Sequence, residues 1–382
     1  MSNSEFPPGK GSTRSRGGNK IRRQHRRRFL LRKSKRTSRL SKSRTGIRLR
    51  KLIELFSGLG LRGSDAGKVR IGPTDRGVIV TLPEALDFEE NYEETCHVFS
   101  ILRKAVECKW KLRRIEFGAL RSLSTSAALV LASAMDQWNK RVKGSLKADL
   151  ASWSGNIRKL LCQMGYFELL GLRRPKTSWS SEGMTFLPFL SGRVGEADAG
   201  AKARLLRINI EQMVGRPIIR TALFDGLSEA ITNAGQHAYR EVEDKNRRFW
   251  WLSASFDDHS QELRVAFYDK GHGIPKTLKS HELFASIREF FTEWSDAKKI
   301  QAAMELGRTS SGKAERGKGL QNLIEFAKAH PKGLLSITSL RGTYSELHRR
   351  GPGPVPSKPE ISMKSHTNSI GGTLIEWSVS LQ

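Results

Sequence analysis

Three short motifs lie in a fixed order between Phe224 and Leu320. The first reads Glu229-Ala-Ile-Thr-Asn233-Ala-Gly-Gln-His237-Ala-Tyr239, the second Asp269-Lys-Gly271-His-Gly273-Ile-Pro275, and the third Arg316-Gly317-Lys318-Gly319-Leu320. Each motif is unremarkable on its own. In this order and at this spacing they indicate the parts of one nucleotide pocket.

The first motif is predicted to lie on a single helix from Thr221 to Tyr239. Its buried side is supplied by apolar residues at helical spacing, Leu223, Leu227, Ile231 and Ala234. Glu229, Asn233 and His237 are four residues apart, so they form a polar stripe on that helix. The Asn oxygen can ligate Mg²⁺, and the Glu carboxylate can take a proton from a nucleophile. An exposed helix face has the same pattern, so this motif alone does not distinguish a Mg²⁺ site from a solvated surface.

The second motif follows two predicted strands, Arg248–Phe256 and Glu262–Asp269. The carboxylate of Asp269 can accept a hydrogen bond from an exocyclic amine such as that of adenine. Gly271 and Gly273 let a flat ring approach the backbone closely. An acidic hairpin turn is the alternative interpretation.

The third motif precedes a helix predicted from Leu320 to Ala329. Gly317 and Gly319 leave the backbone amides at the start of this helix free, which is typical of a phosphate site. Arg316 and Lys318 add positive charge. A basic loop is the alternative, since an isolated Gly-x-Gly is weak evidence.

Together the motifs resemble the ATP-binding GHKL or Bergerat fold that gyrase, Hsp90, histidine kinases and MutL share. They match its N box, its adenine box and its phosphate-binding glycine box, and Gly372-Thr373 matches the start of its closing strand. Glu315 stands where the third box often has its first glycine. The resemblance covers roughly residues 205–382 and implies an α/β fold, namely a two-layer sandwich with a mixed sheet.

The resemblance also implies roles for individual residues. Glu229 would be the catalytic base, and Asn233 would be the Mg²⁺ ligand. ATP contacts fall on Asn233, Asp269, Gly271, Gly273, Arg316, Gly317, Lys318, Gly319 and Thr373.

Within the superfamily, the first motif is closest to the anti-sigma-factor serine kinases. No helix with a phosphoacceptor His precedes the domain, and no transducer domain follows it. An ATPase or a protein serine kinase that regulates a protein partner is therefore expected, with a homodimer among the arrangements considered. The alternative is a nucleotide-switched interaction module without turnover.

Residues 69–175 are predicted to form a smaller α/β domain. Its expected elements are Gly77–Leu82, Tyr92–Cys108, Arg113–Phe117, Leu129–Trp138 and Asn156–Leu170. The turn Ser124-Thr125-Ser126 before a small-residue helix resembles the STAS-type domain of anti-sigma-factor antagonists, where one serine of the turn is phosphorylated. Here Ser124 replaces an Asp and Ala127 a Gly, and capping of the helix is the other interpretation of these hydroxyls.

Two further stretches are predicted to lack regular structure. Residues 176–204 are interpreted as a linker between the domains, and residues 343–369 as a flexible insertion between the last two strands, because both are rich in Gly, Pro and Ser.

The positive charge is concentrated at the N-terminus. Residues 1–51 carry nineteen Lys and Arg against the single acid Glu5, so this tail holds +18 of the net +29. Such a segment is expected to be disordered alone. It is interpreted as a solubilising extension, as an attachment to nucleic acid, or as a transit peptide.

The remaining composition predicts a cytoplasmic protein with no membrane span. The N-terminus has no apolar signal core, and no run of apolar residues is long enough to cross a bilayer. Cys96, Cys108 and Cys162 are too widely spaced for a zinc site and are predicted to be buried thiols.

Overall fold

The computed structural model describes residues 70–74, 77–107, 112–141, 146, 148–175, 183–196, 198–218, 220–239, 248–278, 294–309, 319–350 and 358–382. Arg316, Gly317, Lys318, Cys108 and the tail 1–51 lie outside these residues. All described residues belong to one compact unit, Asp65–Gln382. The boundaries of the domains 69–175 and 205–382 stay predictions.

The first half of the described chain contains two small sheets and four helices. These elements are β1 (Arg70–Thr74), β2 (Gly77–Thr81), β3 (Ala85–Leu86), α1 (Tyr92–Glu107), β4 (Leu112–Glu116), β5 (Ser122–Leu123), α2 (Thr125–Arg141), a 3₁₀ turn (Leu150–Ser152), α3 (Gly155–Gln163) and α4 (Tyr166–Leu169). Strand β2 pairs antiparallel with β1 and parallel with β4. Helix α1 makes the crossover that a parallel pair requires. The helix predicted over 156–170 is instead two helices, because Gly165 adopts φ +90° between them.

The second half is dominated by one large sheet. Its elements are β6 (Met184–Phe186), β7 (Leu190–Arg193), α5 (Ala199–Val214), α6 (Arg220–Asn233), a π-helical turn (Ala234–Ala238), β8 (Phe249–Asp257), β9 (Glu262–Asp269), α7 (Ile274–Thr277), α8 (Asp296–Thr309), α9 (Gly319–Lys328), β10 (Lys332–Ser339), β11 (Gly342–Arg349), β12 (Glu360–Ser365) and β13 (Thr373–Ser380).

The large sheet has the strand order β12-β11-β10-β13-β9-β8-β6, and β7 also pairs with β8. Every pairing between its described strands is antiparallel. The expectation of a mixed sheet is therefore wrong for this part of the chain. Short turns join β8 to β9 and β10 to β11, and such turns connect only antiparallel neighbours.

One face of the large sheet is covered by α5, α6, α8 and α9. Alternate residues of the strands point toward these helices and form the main core, with Trp250, Phe267 and Trp377 fully buried. The indole Nε1 of Trp377 donates to the Leu323 carbonyl of α9 at 2.6 Å. Helix α9 is thereby fixed to the middle of the sheet.

The opposite face of the sheet is covered by α2. The Oγ1 of Thr125 lies 2.6 Å from the Oγ of Ser255, and Trp251 Nε1 donates to Asp136 at 2.8 Å. Thr125 and Ser126 are buried in this contact. The amide of Ala127 donates to Ser124 Oγ at 3.4 Å, so the capping interpretation is confirmed for Ser124.

Regular structure also occurs where none was predicted. Strands β6 and β7 and the start of α5 lie within the range interpreted as a linker, and both strands pair with β8. Strand β12 and all but the first residue of β11 lie in the range interpreted as a flexible insertion, of which 351–357 lies outside the described residues. That interpretation is wrong for both strands, since β11 pairs with β10 and β12 pairs with β11 in the large sheet.

Two smaller predictions concern cysteines and membranes. Cys96 and Cys162 are buried free thiols, as predicted. None of the helices in the described ranges is long and apolar enough to span a membrane.

Candidate functional site

The centre of the site is the pair formed by Asp269 and Thr373. Asp269 ends β9 and pairs with Thr373, the first residue of β13. Strand alternation puts both side chains on the face that carries α6, like Phe267 and Ile375 of the main core. Only 4% of Asp269 and 5% of Thr373 is exposed. A buried carboxylate at a strand end is thus placed beside a hydroxyl on the neighbouring strand.

Burial raises the pKa of Asp269 to about 7, and a hydrogen bond from the Gly271 amide to Oδ1, at 2.7 Å, opposes this rise. A buried carboxylate keeps its charge only where donors surround it. Near neutral pH, any further hydrogen-bond donor that approaches Asp269 therefore shifts its carboxyl group toward the ionised form. An exocyclic amine is such a donor.

Ser339, which the sequence reasoning missed, connects the parts of this centre. It ends β10 and pairs with Thr373, and the two hydroxyl oxygens are 3.0 Å apart. Ser339 Oγ also accepts from the Ile274 amide at 3.0 Å and donates to the Gly372 carbonyl at 3.1 Å. No local motif marks Ser339. Its role follows from strand pairing alone.

The glycines of the second motif are required by close contacts. A Cβ on Gly271 would lie 2.3 Å from the Cβ of Ala238 and 2.5 Å from its carbonyl oxygen. The His272 amide donates to the same Ala238 carbonyl at 2.7 Å. Gly273 adopts φ +83°, which favours glycine. The end of the first motif is therefore packed directly against the turn of the second.

We expect the substitution Gly271→Ala to lower the free energy of unfolding by about 1–3 kcal/mol, because the added methyl group must displace backbone atoms of Ala238. Gly235→Ala is the matched control. Its Cβ would meet nothing closer than Val194 at 3.9 Å. Urea unfolding of both variants measures the difference, and equal stability of the two would contradict the close packing.

Glu229 and Asn233 lie on the last two turns of α6. Burial raises the pKa of the Glu229 carboxyl group, and the Asn233 side chain opposes the rise. The contact between them is weaker than a hydrogen bond of normal geometry, since Asn233 Nδ2 is buried without a partner among the described residues. A carboxyl group of raised pKa suits general base catalysis.

The helix changes its winding directly after Asn233. Residues Ala234–Ala238 form a π-helical turn, so the prediction of a single helix to Tyr239 holds in extent but not in geometry. The wider turn moves His237 off the stripe that continuous α-helical spacing gives. Tyr239 follows, and its hydroxyl donates to the Phe249 carbonyl and accepts from the Lys270 amide. π-Helical turns inside helices occur frequently at functional sites.

The third motif is described only from Gly319 onward. Gly319 is the first residue of α9, close to the predicted start at Leu320. Helix α9 packs along α6, where a Cβ on Gly226 would lie 3.3 Å from the Asn322 carbonyl. The first motif and the described end of the third, Gly319 and Leu320, are thus carried by neighbouring helices.

The donor set of the site can be compared with what ATP and Mg²⁺ need. Asp269 offers an acceptor for an amine, and the carboxamide oxygen of Asn233 is a ligand type that Mg²⁺ accepts. The unsatisfied buried atom of Asn233 is its Nδ2 donor, and the space over Gly271 and Gly273 is taken by Ala238 and by Ser339 and Leu340. The described residues contain no group of three His, Cys, Asp or Glu side chains placed to hold a metal. Mg²⁺ is commonly held by one or two protein oxygens together with substrate phosphates and water. The residues present fit that mode of binding.

Comparison with known proteins gives no assignment. No protein-family model matches the chain, and no curated protein is detectably similar to it in sequence.

Proposed function

We propose that the protein binds ATP with Mg²⁺ and either hydrolyses it or transfers its terminal phosphate to a Ser or Thr of a protein partner. The observation that carries this proposal is the buried Asp269, held by the Gly271 amide beside Thr373. The second support is the packing of Gly271 on Ala238, which follows Glu229 and Asn233 in the same helical segment.

Each residue has a separate role in this proposal. Asp269 accepts from the exocyclic amine of the base, and Thr373 supports the contact from β13. Glu229 takes the proton from the attacking water or hydroxyl. Mg²⁺, held by Asn233, would neutralise charge on the phosphate oxygens. The same base serves water and hydroxyl, so these residues allow both acceptors.

Regulation by a partner is supported by how α2 contacts the site. Lys270, the residue after Asp269, extends its Nζ to Gln137 Oε1 of α2 at 3.0 Å. A change in the position of α2 would therefore act on the residue next to Asp269. The resemblance to anti-sigma-factor kinases and their antagonists supports the same role.

Incubation with γ-labelled ATP, Mg²⁺ and cell lysate tests the proposal. Label on a protein indicates a kinase, and released phosphate indicates an ATPase. ATP binding with neither product indicates the nucleotide-switched module. Failure of the wild-type chain to bind ATP would overturn the proposal, and an Asp269→Asn variant shows whether binding depends on this site.

A nucleic-acid-associated ATPase is the second candidate, favoured by the +18 charge of residues 1–51. We expect deletion of 1–51 to weaken binding to DNA or RNA at low salt by about 100-fold or more, because each phosphate contact releases counterions. Deletion of 1–9 is the matched control, since those residues contain no Lys or Arg. Binding is measured by fluorescence anisotropy against salt. Affinity retained after the longer deletion would exclude this candidate.

A further inference from the structure

Strand β12 is an open edge of the large sheet. It pairs with β11 on one side, and no other described strand pairs with it. All six of its residues are exposed. Ile361 and Met363, each 44% exposed, are two of the few large apolar side chains that are exposed among the described residues. An edge strand presents unpaired backbone N–H and C=O groups, which favours pairing with a further strand.

The two faces of β12 differ in chemistry. Met363 pairs with Tyr344 and Ile361 with Glu346, so both apolar side chains stand on the same face as Tyr344 of the main core. Glu360, Ser362 and Lys364 stand on the other face. The core layer therefore continues to the rim of the sheet, where Ile361 and Met363 are each still 44% exposed.

The sequence of β12 is complementary to itself. In an antiparallel pair, two opposite residues either both direct their N–H and C=O groups toward the partner strand or both direct them away from it. These groups alternate in direction along a strand, so the two-fold axis between two identical strands must pass between one residue and its own copy. Centring on Ser362 places Glu360 opposite Lys364 of the second copy and Ile361 opposite Met363. Symmetry repeats both contacts. Opposite charges and paired apolar side chains each stabilise cross-strand neighbours.

The neighbouring registers lack this match. Centring on Ile361 places Glu360 opposite Ser362, and centring on Met363 places Ile361 opposite Ser365. We propose that β12 is a homodimer interface, in which two copies of this chain join their large sheets antiparallel through Ser362.

The interface is small, and this sets its strength. Five paired residues of each strand span about 16 Å, and a single strand pair covers less surface than the ~800 Å² per partner of a standard interface. Glu360 already lies 3.4 Å from Arg349 of its own chain, an exposed ion pair that stays in place. The net charge of +29 opposes association. We therefore expect a weak dimer that forms at high micromolar concentration and at salt of about 150 mM, where charges are screened.

Analytical ultracentrifugation of the full chain over a range of concentrations tests the interface. Glu360→Lys and Lys364→Glu each place like charges opposite one another twice, so each variant is expected to dimerise about 10-fold more weakly than wild type. The double variant E360K/K364E restores two opposite-charge pairs and is expected to recover wild-type association. An equimolar mixture of the two single variants is expected to form heterodimers, since each chain then meets the charge that it lacks.

Three results would overturn this proposal. The first is a wild-type chain that stays monomeric over the whole concentration range, in which case β12 would be open to pairing with a strand of another protein. The second is single variants that associate as wild type does. The third is a double variant and a mixture that both remain as weak as the single variants. Glu360 and Lys364 are exposed, and so is the Glu360–Arg349 ion pair that the change at Glu360 removes, so the thermal midpoint of every variant should stay within about 3 °C of wild type and exclude misfolding as a cause.

Discussion

Replacing Asp269 with Asn is expected to lower the affinity for ATP by about 10–100-fold, the effect of losing a hydrogen bond to a charged acceptor. The Asn side chain has nearly the same volume, and its oxygen can still accept from the Gly271 amide, which lies 2.7 Å from Oδ1 in the wild type. Its Nδ2 adds a donor where the amine of the base needs an acceptor. Isothermal titration with a non-hydrolysable ATP analogue at pH 8 measures the change.

Asp257→Asn is the matched control for this variant. Asp257 also ends a strand and also accepts hydrogen bonds from the turn that follows, at His259 N and Ser260 Oγ, but it lies at the other end of β8 and β9. Its replacement should leave ATP affinity unchanged. Unchanged affinity in the Asp269 variant would show that the nucleotide does not bind at this strand end.

The same variant has a second readout in the pH dependence of stability. The pKa of Asp269 in the folded protein, about 7, lies above the unfolded value near 4, so the folded state binds a proton that the unfolded state has lost between these pH values. Wild-type stability from this group therefore falls as pH rises from 4 to 7. Between pH 5 and pH 7 the variant should gain about 2 kcal/mol relative to wild type. A constant difference across this range would contradict the burial of a titrating carboxyl group.

The sequence predicted those parts of the fold whose signals are local. Strand β9 was predicted residue for residue because its apolar residues alternate and end at an acid before two glycines. Helix α9 was predicted because an apolar face follows a glycine turn. The π-helical turn after Asn233 was not predicted, because the residues Ala234–Ala238 are equally compatible with a continued α-helix.

The elements that the sequence did not predict depend on contacts between distant residues. Strands β6 and β7 have three and four residues, and each is stabilised by pairing with β8 some sixty residues later. Strand β12 follows a stretch rich in Pro and Gly, residues 351–359 of the sequence, and is exposed on both faces, so nothing in its own sequence separates it from a loop. Ser339 shows the same limit at the site. Its contact to Thr373 exists only because β10 lies beside β13.

Replacing Glu229 with Gln is expected to reduce turnover by about 100- to 10,000-fold while changing ATP affinity little, because a general base acts on the nucleophile and not on the bound nucleotide. Gln keeps the shape and cannot take a proton. The assay is the single-turnover release or transfer of labelled phosphate, run beside Glu325→Gln, a control on α9 whose carboxylate pairs with Lys328. Asn233→Ala should instead remove the part of ATP affinity that depends on Mg²⁺, since it would remove the metal ligand.

The raised pKa of Glu229 gives this prediction a pH signature. Burial disfavours its charged form, so the wild-type rate should fall as pH is lowered through that raised pKa, because a protonated carboxyl group cannot act as a base. Residual turnover of the Gln variant should not show this fall. A variant that keeps the wild-type rate would place the base elsewhere. A variant that loses ATP affinity as strongly as turnover would place Glu229 in nucleotide binding. Measuring affinity and turnover side by side therefore separates a role of α6 in proton abstraction from a role in binding the nucleotide.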